Sequence, residues 1–161
     1  TSFEKLQPTV IHLILLRPEI PQNTGNIGRL CAYSGCRLHL IKPYGFEIDD
    51  SRLRRAGMDY WRSLDISEHD DWESFLASDE RPESIYLFTT KAETSIWDAE
   101  FRDGDGLLFG NESTGVTSDV HSWASGRKVK IPQFKDGLRS LNLANAVSIG
   151  CYEALRQIEV R

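Results

Sequence analysis

The sequence predicts an α/β domain, a mostly parallel β-sheet flanked by helices. Three observations lead there. Apolar runs of strand length recur along the chain, helical periodicity lies between them, and Gly or Pro stands at most of the junctions. The first run is continuous rather than alternating, which is how a strand covered on both faces reads.

The elements follow in order. Residues 1–9 read as an N-terminal tail, and 10–161 as one domain, long enough to bury a sizeable core. Val10–Leu16, interrupted only by His12, is the first strand and ends at Arg17-Pro18. Pro21 suits the first turn of a helix, and Asn23 or Thr24 has the side chain of a cap. Ile27, Leu30, Cys31 and Ser34 continue at helical spacing, and Gly35 stops the helix. Leu38–Ile41 is the second strand, closed by Pro43 and Gly45. Asp50 can cap a helix through Arg55, with Gly57 ending it, and Trp72–Leu76 begins another. Ile85–Thr89, Gly106–Phe109 and Val129–Ile131 are the remaining strands. Leu143, Ala146, Val147, Gly150, Ala154 and Leu155 mark the longest helix, from about Leu141 to Ile158.

Composition narrows the function. The longest apolar run is far too short to span a bilayer and no signal-peptide pattern precedes it, so a cytoplasmic protein without a membrane partner is expected. Three cysteines (Cys31, Cys36, Cys151) without a Cys-x-x-Cys spacing, and four scattered histidines, point away from a disulfide framework and from a metal site. A net charge of −5 argues mildly against a nucleic-acid partner. Yet Arg52, Arg54 and Arg55, with Arg62 close behind, form a local basic cluster on an acidic body.

Three stretches have residues suited to chemistry. In "PEIPQNTGNIGRL" (18–30) glycines follow a strand, where backbone can approach a ligand and a helix N-terminus attracts phosphate. A tight strand-to-helix turn with Asn caps is the plainer reading, and Arg29, one turn into the helix, favours the ligand. The pattern is neither G-x-G-x-x-G nor a P-loop, which weakens a dinucleotide or flavodoxin-like reading. "LLFGNESTGV" (107–116) again ends a strand in Gly, with Glu112 between two glycines; it is either a surface turn or a loop offering backbone groups to an adenine or ribose edge. In "IPQFKDGLRSLNLANAVSIG" (131–150) Ser140 or Asn142 can cap the last helix, while Asn142 and Asn145, three apart, share a face from which amides can read a ligand. Tyr60-Trp61 suits core packing or base stacking.

These blocks, in this order and with "LRRAGMDYW" (53–61), resemble the SPOUT superfamily of knotted RNA methyltransferases. The similarity runs from about Val10 to Gln157 and is strongest to the single-domain tRNA (cytidine/uridine-34) 2'-O-methyltransferases. The resemblance implies a deep C-terminal trefoil knot, an exception to the rule against knots. It also implies S-adenosyl-L-methionine as donor, a tRNA anticodon stem-loop as substrate, and no metal. Positions matching the family's cofactor contacts are Phe88, Gly110, Ile131 and Ser140, with Glu112 and Asn145 beside them. Asn26, Arg29, Ser140 and Asn142 match its catalytic region, where the Arg orients the acceptor ribose through a phosphate. Arg29, Arg52, Arg54 and Arg55 are the implied RNA contacts. A homodimer through the final helix is implied, with Tyr152 in the interface. Two departures stand out: Thr114 where relatives often have Arg, and a loop before Ser140 one residue longer than usual. The same chemistry on another RNA such as rRNA, and a non-catalytic knotted RNA-binding module, are the alternatives.

Overall fold

The computed structural model describes residues 10–47, 51–52, 55, 64–136 and 140–160. Seven strands form one sheet: β1 (His12–Leu16), β2 (Arg37–Ile41), β3 (Ile66–His69), β4 (Ile85–Phe88), β5 (Thr94–Ser95), β6 (Gly106–Phe109) and β7 (Lys128–Lys130). Their order across the sheet is β3-β2-β1-β6-β4-β7-β5, and every pairing is parallel. The helices bounded among the described residues are α1 (Pro21–Ser34), α2 (Trp72–Ala77), α3 (Ser118–Trp123) and α4 (Leu143–Val160).

The continuous apolar strands are explained by a core on each face. Leu13, Leu15, Leu38, Leu40, Leu107 and Phe109 point to a layer that holds Ile27 and Cys31 of α1 and Val147, Cys151 and Ala154 of α4. Ile14, Leu16, Ile41, Ile85, Leu87 and Leu108 point the other way, to Trp72 and Phe75 of α2 and Val120 of α3. Each fully buried aliphatic side chain contributes about 1.5–3 kcal/mol, so neither face of β1 can turn polar cheaply.

Local chemistry sets the helix ends. Asp71 Oδ1 accepts from the Ser74 N–H at 2.7 Å and caps α2. α1 stops at Gly35, whose φ of 77° is left-handed. α4 lies close on the sheet because Gly150 leaves room: a Cβ there would meet Phe88 Cε2 at 2.5 Å. The far half of α4 is tied down by Gln157, a buried amide that accepts from the Phe101 N–H at 2.9 Å and donates to the Ile96 carbonyl at 3.2 Å.

The observed elements differ from the sequence reading in particulars. β3, β5 and α3 were not expected. β3 reads Ile-Ser-Glu-His, and two of its polar residues, Ser67 and His69, are the buried ones. β5 has two residues and α3 six, both too short to show a period. β1 starts at His12 rather than Val10, although Ile11 is fully buried. Ser51, Arg52 and Arg55 carry helical backbone and are exposed, while Asp50, Arg54, Gly57, Tyr60, Trp61 and Arg62 lie outside the described residues. Among the described residues no helix is long and apolar enough to cross a membrane.

One feature of this sheet titrates. His12 Nδ1 lies 2.8 Å from His39 Nε2, and His39 Nδ1 lies 3.0 Å from His69 Nε2, so three imidazoles form a chain across β1, β2 and β3. Burial, helped by the neighbouring His12 and His69 rings and Arg37, pushes His39 down to about 3. Burial also lowers His12 and His69. A group lowered in this way binds fewer protons folded than unfolded, so its stabilising effect is complete above its ordinary value of 6.5 and is lost as pH falls toward about 3. A His39→Leu variant should therefore lose less melting temperature than the parent when pH is lowered from 7 to 4, measured by circular dichroism at matched ionic strength.

Candidate active site

The carboxyl ends of β4, β6 and β7 open on one side of the sheet, where α/β folds place ligands. A cavity of about 850 Å³ lies there, within the range of small-molecule sites. Phe88 and Thr89 enter it from the end of β4, Gly110 to Val116 from the end of β6, and Ile131 to Lys135 from the end of β7. Ser140, Asn142 and Leu143 at the start of α4, and Ile20 and Asn23 at the start of α1, close it. Its walls combine apolar side chains with hydroxyls, amides and backbone, suited to a nucleoside rather than a purely apolar ligand.

A hydrogen-bonded latch joins three of these segments. Glu112 Oε1 accepts from the Glu19 N–H at 2.9 Å, and Oε2 accepts from the Ile20 N–H at 2.9 Å and from Asn23 Nδ2 at 3.1 Å. Asn23 Oδ1 in turn accepts from Asn142 Nδ2 at 3.0 Å. Asn142 Oδ1 accepts from the Asn145 N–H at 3.2 Å, which caps α4. Glu19 returns the contact across the gap, accepting from the Ser113 N–H and hydroxyl at 3.1 and 3.0 Å. A carboxylate thus sits at the N-terminus of α1, where its charge is favoured and unpaired N–H groups need an acceptor. The cap residue Ile20 has no side-chain acceptor to offer, and the Glu112 carboxylate stands at that helix start instead.

The β6 loop is held tight by backbone. Asn111 and Gly115 exchange N–H···O bonds of 3.2 Å in both directions. A Cβ at Gly110 would lie 2.3 Å from the Gly115 carbonyl carbon, so no larger residue fits. The Thr114 hydroxyl donates to Asn111 Oδ1 at 2.9 Å. Thr114 thus closes the loop on itself.

Of the residues singled out in the sequence, Phe88, Gly110, Glu112, Ile131, Ser140 and Asn142 line this one cavity. Three do not line it within the chain. Asn145 is exposed, and its N–H is spent on the α4 cap. Asn26 and Arg29 are exposed on α1, and Arg29 borders a separate cavity of about 480 Å³ with Tyr33 and Asp65. The sequence reading took Asn23 only as a cap, and Glu19 not at all. Their signal was proximity to the Gly-rich motif, but their bonding depends on a loop about 90 residues away in sequence. Among the described residues no group of three His, Cys, Asp or Glu side chains is placed to hold a metal.

A parallel sheet whose strand ends surround a nucleoside-sized cavity, closed by two helix starts, defines a class before any comparison. The profile of the SpoU rRNA Methylase family matches residues 10–152, and the chain belongs to that family. It is 45% identical over 154 residues to the tRNA (cytidine(34)-2'-O)-methyltransferase of Yersinia pestis, across 92% of this chain and 94% of that protein. The tRNA (cytidine(34)-2'-O)-methyltransferase of Escherichia coli K12 is 44% identical over 150 residues, with the same shares covered. A solved structure concerned with the 2-OH methylation of C/U34 on tRNA superposes with a TM-score of 0.89 at 44% identity, covering 96% of this chain and 100% of that one.

The latch has a measurable cost of removal. Glu112→Ala leaves two backbone N–H groups and an amide without their charged acceptor, and should lower the unfolding free energy by about 1–3 kcal/mol in urea denaturation.

Proposed function

We propose that this protein is an S-adenosyl-L-methionine-dependent methyltransferase acting on the ribose 2'-hydroxyl of the tRNA wobble nucleotide, cytidine or modified uridine at position 34. The observation that carries the reading is the convergence of Phe88, Gly110, Ile131, Ser140 and Asn142 on one cavity of nucleoside size. Similarity to two tRNA (cytidine(34)-2'-O)-methyltransferases supports the choice of substrate.

The donor fits the residues present. The Phe88, Gly110 and Ile131 segments offer backbone donors and acceptors at three strand ends, and Phe88, Phe109 and Leu141 offer apolar walls. When bound, the donor supplies a methyl group on a sulfonium, an electrophile that needs no metal. The chain's own residues have the remaining work. Ser140 and Asn142 line the space the acceptor must enter. Glu112, engaged by α1, holds the two cavity walls at a set distance rather than serving as a free base. The planar guanidinium fork of Arg29 suits a phosphate. Its role is to orient the acceptor ribose through that phosphate. Arg52, Arg54 and Arg55 extend the contact to the anticodon stem.

Asn26 and Arg29 do not line the cavity of their own chain, and Arg29 borders a different one with Tyr33 and Asp65. This supports a homodimer in which Arg29 and Asn26 of one copy serve the cavity of the other. The exposed Tyr33 on α1 and Ile149 and Tyr152 on α4 supply an apolar surface for that pairing. The trefoil knot of the SPOUT fold belongs to the same reading. The last helix α4, which follows β7 in sequence, packs against α1 and β6. Cytoplasmic location follows from the substrate.

Calorimetric titration with S-adenosylhomocysteine, followed by transfer of labelled methyl to tRNA from a strain lacking the wobble ribose methyl, tests the reading. Binding with label at position 34 supports it. Binding with label only in ribosomal RNA redirects it to the alternative substrate, and no binding favours a non-catalytic module. Arg29→Ala should leave S-adenosylhomocysteine affinity within about twofold while methyl transfer falls by about a hundredfold or more; normal turnover in that variant overturns the role given to Arg29.

A further inference from the structure

At the mouth of the cavity two large aromatic side chains stand in solvent. Trp97 is 59% exposed and Phe134 is 84% exposed, and their ring centroids are 5.9 Å apart with a tilt of 34°. Phe134 belongs to the cavity wall, so the pair continues the site outward.

The position of Trp97 is built rather than incidental. Its N–H donates to Ser95 Oγ at 3.0 Å, the Ile96 N–H donates to the Lys130 carbonyl at 2.9 Å, and the Asp98 N–H donates to the Ser95 carbonyl at 3.0 Å. The backbone carrying the indole is therefore fixed to β7, the strand that leads into the Phe134 loop. Gln133 Nε2, next to Phe134, donates to the Lys135 carbonyl at 2.6 Å and braces that loop. Neither ring contributes much to the core, and together they form an apolar step at the entrance of a polar site.

We propose that Trp97 and Phe134 form a stacking platform for the base of the acceptor nucleotide, a contact that rests on the methyltransferase reading above. A ribose held inside the cavity has its own base one glycosidic bond away, at the rim. Single-stranded RNA bases are captured by aromatic side chains, and stacking tolerates different bases because each has a π-face. A platform of this kind suits either pyrimidine at the acceptor position. Lys91 and Lys135 line the same cavity and supply charge for the flanking phosphates. Asp98 and Asp136 adjoin the platform in sequence, so its attraction for RNA comes from the rings and not from a basic field.

The test is a cycle between protein and RNA. An anticodon stem-loop and the same RNA abasic at position 34, ribose intact, are each titrated against the parent, Trp97→Ala, Phe134→Ala and the double variant. Loss of the base should weaken binding to the parent by about tenfold. The double variant should bind the intact RNA about tenfold more weakly and no longer distinguish the two RNAs. Trp97 is not among the residues lining the cavity, so in Trp97→Ala S-adenosylhomocysteine affinity should stay within about twofold, and Trp97→Phe should restore most of the RNA affinity that Trp97→Ala loses. Equal sensitivity of parent and double variant to base removal overturns the platform. Weakened S-adenosylhomocysteine binding in Trp97→Ala also overturns it, because the indole then covers the donor. A changed elution volume in size exclusion overturns it too, because the rings then cover a protein interface. A parent that binds no anticodon stem-loop fails the substrate reading itself, and does so before any variant is examined.

Discussion

The Glu112 carboxylate is the tie on which the candidate site depends. It takes two backbone N–H groups at the start of α1 and the amide of Asn23, and Asn23 passes the connection to Asn142 at the start of α4. Three segments distant in sequence are thereby set around one space. Two of the links, the Ile20 N–H to Glu112 and the Asn145 N–H to Asn142, pair backbone groups at helix starts, so the arrangement answers a backbone need and shapes a cavity together. Hydrogen bonds to a charged acceptor are the stronger kind, which suits a junction that must keep its geometry when a ligand enters.

Around that tie the sheet acts as a rigid mount. Both faces are covered, and the strands that end at the cavity are central ones: β6 lies between β1 and β4, and β4 between β6 and β7. Phe88 and Phe109, at the ends of β4 and β6, pack on each other with centroids 4.6 Å apart, and α4 rests on Phe88 through Gly150. Phe88 and Phe109 thus belong to the core and also bound the cavity. Its floor cannot shift without disturbing close packing, while residues 133–136 and the turn at Thr114 are exposed.

Much of this was legible beforehand, for reasons tied to particular residues. Val10–Leu16 read as a strand covered on both sides, which His12–Leu16 is, and Gly35 read as a helix stop, which its left-handed backbone makes it. Gly110 was legible as the end of a strand entering a loop, while its close approach to Gly115 emerged only in the fold. β3 was not legible, because its buried positions are Ser67 and His69, held by Arg37 and His39 from the neighbouring strand. Asn23 was legible as a helix-start residue and not as a bridge, since its two partners lie 89 and 119 residues away.

The amino-acid sequence alone determined the class of fold, the order of the principal elements and the three loops that meet at the site. Those features follow from periodicity, turn residues and motif order, which are local along the chain. Tertiary structure decided which residues meet. It set Glu112 to hold α1, sent Arg29 to a different cavity from Asn142, and placed Trp97 beside Phe134. Such pairings depend on strand order and on how helices dock, and no spacing within one segment encodes them.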